Sequence, residues 1–173
     1  KHSLARELLF EFGAQHAEYM LPIGPINQVW SKENRTKFTK EEQITMLTLW
    51  SIFRSPLMLG GELTGFDAFT LALVTNEAVL AMHQMARHAH QVWRRVIGGS
   101  EYILWTAVCA EGGQYAAVFN VGDHNGTIEI QLRDLEIEHA STAMELWSGE
   151  ESTIDSSLTV SLNAHGAKAY QIR

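Results

Sequence analysis

Cysteine is nearly absent from these 173 residues. The single one, Cys109, excludes an intrachain disulfide framework and any cysteine-rich zinc site. It sits in the apolar run Tyr102–Ala110 and reads as a small buried hydrophobe. Basic runs are lacking too. The net charge of -7 is spread over both halves, which removes the electrostatic footprint of a nucleic-acid binder. No stretch is long and apolar enough to cross a bilayer, so no membrane partner is expected. The start of the chain has neither an initiating Met nor the apolar core of a signal peptide, and the compartment is not readable. No low-complexity tract or internal repeat is visible.

Hydrophobic residues make up 46% of the chain, ample for a packed core. Leu4, Leu8 and Phe12 lie at i, i+4, i+8, which predicts a helix from Ser3 to about Tyr19. Met20–Ile26 carries two prolines and a glycine and suits a strand end turning into a loop, with a polar loop following over Ser31–Phe38. Thr39-Lys40-Glu41-Glu42 is a capping box, so a helix starts there. It runs to Phe53 with apolar residues on more than one face, implying burial against two layers, and Pro56 follows its end. Leu57-Met58-Leu59, closed by Gly60-Gly61, has the texture of a strand buried on both faces, as in parallel sheets. Phe66–Val74 is helix-like, and Asn76 caps a further helix, Glu77 to about Met85.

From Gly98 the texture is short β-rich runs between turns: Glu101–Ala110, Tyr115–Val121, Thr127–Leu132, Ala143–Trp147, Leu158–Leu162 and Ala167–Arg173. They predict an antiparallel sandwich of about five to seven strands. The boundary falls between Arg94 and Gly99. The expected class is α+β, with a helical/β unit over residues 1–96 and a β-sandwich domain over 97–173.

The ordered run MLPIG (Met20–Gly24), an Arg/Thr-Phe-Thr segment, EEQITMLTLWSIFRSPLMLGGEL (Glu41–Leu63) and LVTNEAVLAMHQ (Leu73–Gln84) resembles the melibiase-type α-galactosidases. YAAVFNVGD, ELWSG and AHGAKAYQIR are similar, more loosely, to that family's C-terminal β domain. The resemblance implies the closing units of a catalytic β/α (TIM) barrel, the seventh and eighth strands with their helices, followed by the β domain. It also implies a retaining glycosidase that cleaves terminal α-linked galactose, with two carboxyl groups roughly 5 Å apart. Both come from earlier barrel strands, so no catalytic residue is assigned in this chain, which is expected to be inactive alone. No cofactor is implied, and the partner is an α-galactoside or other carbohydrate. Tyr19 stands where the family usually has a galactose-binding aspartate, and His83 where it generally has Asn. Of the family's pocket residues only Met20 carries over, as an apolar contact.

Among this chain's own carboxylates, Glu41 and Glu42 read as helix-start residues and Asp67 as a cap. Glu62 follows a barrel-like strand, on the side where such barrels hold their sites, and is the candidate substrate contact. His83, His88 and His90 lack the i, i+4 spacing and an acidic or thiol partner, so no metal site is assigned. Trp93, Trp105 and Trp147, with Tyr102 and Tyr115, form either core or a stacking platform for sugar rings. The alternative function is a noncatalytic carbohydrate-binding or interaction module derived from such an enzyme, which a row of exposed aromatics would favour. Two β/α units cannot close a barrel, so the faces of the 40–53 helix and of Leu57–Leu59 are expected to lack partners and to drive self-association.

Overall fold

The computed structural model describes residues 20–27, 34–137 and 142–173; the helix expected over Ser3–Tyr19 lies outside them. Leu21 makes a parallel bridge to Leu59. Around it, the Leu21 amide donates to the Met58 carbonyl at 2.6 Å, the Gly60 amide to the Leu21 carbonyl at 2.9 Å and the Glu62 amide to the Pro25 carbonyl at 2.7 Å. Gly24 turns the chain with φ 74° into β1 (Pro25–Asn27), which pairs antiparallel with β2 (Asn34–Arg35). Gly61 admits this close approach: a Cβ there would lie 2.1 Å from the Ile23 carbonyl oxygen.

Helix α1 (Lys40–Ile52) joins the two bridged segments. It begins at the capping box, with the Glu42 amide donating to Thr39 Oγ1 at 3.2 Å and the Thr39 amide to Glu42 Oε2 at 2.8 Å. Nine of its 13 residues are buried, because the sheet covers one side and α3 another. Its apolar faces therefore have partners, contrary to the expectation that they would lie bare. The Leu57–Leu59 segment is less buried than its two-sided strand texture suggests, in line with the expectation that its faces lack partners. Only Leu59 bridges, Leu57 and Leu59 are half-buried and Met58 is 55% exposed, since Leu21 is the one strand partner among the described residues.

Helix α2 (Ala68–Val74) starts two residues later than its apolar pattern suggests, because Asp67 Oδ1 accepts the Thr70 amide at 2.8 Å and caps it. Asn76 caps α3 (Glu77–Met85) in the same way through the Val79 amide. From Ala86 the chain passes directly into β3 (Ala86–Ile97), so the first sheet strand lies ahead of the boundary expected near Gly99. Gly98 and Gly99, with φ of 59° and 84°, are the hairpin turn into β4 (Ser100–Cys109) rather than a linker.

The remaining strands are β5 (Gln114–Asn120), β6 (Gly126–Gln131), β7 (Thr142–Glu145), β8 (Glu151–Thr153), β9 (Ser157–Leu162) and β10 (Ala167–Ile172). They form an antiparallel six-stranded sheet in the order β3-β4-β5-β10-β7-β8, and a two-stranded sheet β6-β9. The result is a β-sandwich-like domain with two separate cores. Leu104, Val118, Ile128, Ile130, Val160 and Ile172 fill the space between the sheets. On the other face of the large sheet, Ile103, Ala117, Phe119 and Ala169 share a core with Leu47, Trp50 and Met82 from the helices. Burying the central strands on both faces is what fixes the helical part to the sandwich.

Candidate functional site

Met20 and Glu62 both belong to the parallel-bridged pair. Met20 is 57% exposed at the start of one segment, its Cβ beside Gly60 of the other. Glu62 stands at the end of the second segment, exposed, and caps the 3-10 turn Leu63–Gly65. Its Oε1 accepts the Thr64 hydroxyl at 2.8 Å and the Thr64 amide at 3.3 Å. These bonds, the hydroxyl's first, hold its carboxyl below the usual range.

Asp67, one turn further, is likewise lowered, by the Thr70 amide and hydroxyl first and then by Arg35 and Lys40; Arg35 Nη1 lies 3.1 Å from its Oδ2. Glu41 accepts from Asn163 Nδ2 at 2.9 Å and Glu42 belongs to the capping box. Each of these carboxylates already holds a turn, a helix start or a domain contact.

The aromatics are not a stacking platform. Tyr102 and Tyr115 are 2% and 3% exposed, and Trp93 is buried with its Nε1 donating to Asp134 at 3.0 Å. Burial pushes the phenols of Tyr115 and Tyr170 well above their ordinary range. Trp105 packs its ring against Phe53, and Trp147 Nε1 donates to Thr48 Oγ1 at 2.9 Å. Trp93, Tyr102 and Tyr115 are buried on their strands, Trp105 and Trp147 are half-buried against the helix-side core, and these five rings form no exposed row. The histidines do not converge either: His83 Nε2 meets the Ser55 carbonyl and His90 Nδ1 the His88 carbonyl. Among the described residues no three His, Cys, Asp or Glu side chains gather as metal ligands.

A hollow of about 780 Å³ lined by Gln131, Arg133, Glu136 and Asp155 lies on the sandwich, away from Met20 and Glu62. What sequence spacing did not reveal is the contact set between helices and sandwich. Thr45 Oγ1 donates to the His165 carbonyl at 2.6 Å, alongside the Trp147–Thr48 and Asn163–Glu41 bonds. The one available signal was the i, i+4, i+7 spacing of Glu41, Thr45 and Thr48 along the helix.

The profile of the α-galactosidase C-terminal β-sandwich domain matches residues 99–172. Residues 99–172 belong to the α-galactosidase C-terminal β-sandwich domain family, and the chain as a whole is similar to a C-terminal fragment of a melibiase-type α-galactosidase. α-Galactosidase D of Emericella nidulans is 30% identical over 135 residues, covering 78% of this chain and 20% of that protein. A GH27 β-L-arabinopyranosidase from Geobacillus stearothermophilus, solved in complex with arabinose, is similar with a TM-score of 0.81 and 38% identity over 90% of this chain and 36% of that one. α-Galactosidase I from Mortierella vinacea, at 22% identity and a TM-score of 0.71, shares the fold. The chain thus spans about a fifth of the length of the first curated relatives and about a third of the solved ones.

Proposed function

We propose that this chain is the closing part of a retaining glycoside hydrolase acting on terminal α-linked galactose, and that its own task is architectural. It contributes the last strand–helix–strand unit of a β/α barrel and holds the β-sandwich against it. The observation that carries this reading is the parallel Leu21–Leu59 bridge spanned by α1, a β/α-type crossover packed on a domain of galactosidase type. The arabinose-bound relative supports a carbohydrate as the ligand of the complete site.

Two carboxylates at catalytic separation are not supplied by this chain in the proposal. Glu41 is bonded to Asn163, Glu42 belongs to the capping box, and Glu62 and Asp67 cap their own turns with carboxyls held below the usual range. Met20 and Glu62 remain the residues proposed to border the sugar pocket, Met20 as an apolar wall. Met20, Met58, Leu63 and Leu71, all more than half exposed, form the face proposed to meet the rest of the barrel or, in isolation, a second copy. The noncatalytic sugar-binding alternative lacks the exposed aromatic row that would favour it, since Trp93, Tyr102 and Tyr115 are buried and Trp105 and Trp147 are half-buried.

The test is release of 4-nitrophenol from the α-D-galactoside and the β-L-arabinopyranoside by the purified chain, with a β-galactoside control. No turnover is expected. Turnover that survives purification and disappears in Glu62→Gln or Asp67→Asn would overturn the proposal.

A further inference from the structure

We infer that a polar stripe on α1 sets the axial register of that helix on the β-sandwich, with Trp147 and His165 as the residues that position it. The inference stands on the contacts alone and does not depend on the galactosidase reading. Glu41, Thr45 and Thr48 fall at i, i+4, i+7, one line along the helix. Each meets a different point of the sandwich: Asn163 Nδ2 at 2.9 Å from Glu41 Oε1, the His165 carbonyl at 2.6 Å from Thr45 Oγ1, and Trp147 Nε1 at 2.9 Å from Thr48 Oγ1.

Thr45 and Thr48 are 1% and 0% exposed, in a helix whose other buried residues are Gln43, Met46, Leu47, Leu49, Trp50, Ser51 and Ile52. Threonine is a middling helix former, and a buried hydroxyl is costly unless bonded. Apolar side chains would fill the space, but would leave the His165 carbonyl and the Trp147 indole without these partners. What they would lack is direction. A uniformly apolar helix can slide on an apolar sheet by one turn, about 5.4 Å, with much of its contact retained. Hydrogen bonds at fixed heights are satisfied in one register and orphaned in the next.

The opposing groups are held rigidly enough to serve as fixed points. Glu145, 6% exposed, accepts the amides of Trp147 and Ser148 at 3.2 and 2.7 Å, locking the turn that carries the indole. The Trp147 carbonyl also lies 3.5 Å from Asn76 Nδ2, the cap of α3. His165 has φ 57°, its ring is 3.1 Å from Asp123, and its amide donates to the Gly122 carbonyl. The same turn is tied down by Asn125, which accepts the Ala164 amide at 2.9 Å, and by Asn120, which donates to the Asn163 carbonyl at 2.9 Å. Because α1 connects the segments that carry Met20 and Glu62, its height on the sandwich sets where those two residues stand.

The test measures a distance between nitroxide labels placed at Lys40→Cys on α1 and Thr159→Cys on β9, in the full chain with Cys109→Ala. The parent and the pair Thr45→Ser with Thr48→Ser, which keeps both hydroxyls, are expected to give one narrow distance. The pair Thr45→Val with Thr48→Val is expected to broaden that distribution at least two-fold or to add a second peak. If the valine pair does not fold, Trp147→Phe is read in the same way. A valine pair, or in its place the Trp147→Phe chain, that keeps a single distance as narrow as the parent's overturns the inference.

Discussion

At the start of α1 the Thr39 hydroxyl and the Glu42 carboxylate satisfy each other's backbone amides, two donors that a helix otherwise leaves unpaired. Thr39→Ala is expected to lower stability by about 1 kcal/mol in urea denaturation, with Thr39→Ser close to the parent. Asp67 makes a pH-dependent contribution of definite sign. Its folded pKa lies below the ordinary carboxylate value, so its stabilisation is present above that value and is lost as pH falls through the lowered one. Asp67→Asn keeps the capping oxygen and is expected to flatten that part of the acid limb of a stability–pH curve while leaving neutral stability nearly unchanged. These caps were legible in the sequence because they depend on residues within three positions of each other. The bonds of Thr45 and Thr48 were not, since their partners lie 120 and 99 residues away.

Among the elements, the strands that alternate in sequence are those with one wet face. β6 and β9 expose every second residue, whereas β5 and β10 are buried almost throughout because helices cover one side of the large sheet and β6-β9 the other. That two-sided burial gives Phe119, fully buried against the helices, its weight. Phe119→Ala is expected to cost roughly 3–5 kcal/mol and to loosen α1, measurable as a lower denaturation midpoint and faster amide exchange in α1. β3 escaped the sequence pattern for a physical reason. Its register shifts between Arg87 and His90 and again between Gln91 and Trp93, so alternation is broken where it would have been read. β8 escaped because Glu151, Ser152 and Thr153 are all exposed and polar, an edge strand with nothing apolar to signal it. The capping box, by contrast, fixed the start of α1 to the residue.

For the whole molecule, the sandwich and its family were legible through motifs spread over the chain, while the relation of the helices to the sheet was not. The helices are not a loose remnant beside a separate domain, because α1 and α3 share a continuous core with one face of the large sheet. Met20, Met58, Leu63 and Leu71 stay more than half exposed, and the proposal takes them as one face. In the proposed function that face meets the remaining barrel units. The most direct measurement is therefore a graft in which residues 20–173 replace the corresponding part of the Geobacillus stearothermophilus β-L-arabinopyranosidase, so that the host supplies everything before Met20. The proposal predicts a folded chimera that hydrolyses the 4-nitrophenyl β-L-arabinopyranoside. A host barrel that is folded but inactive, with this chain folded beside it as an independent unit, would contradict it.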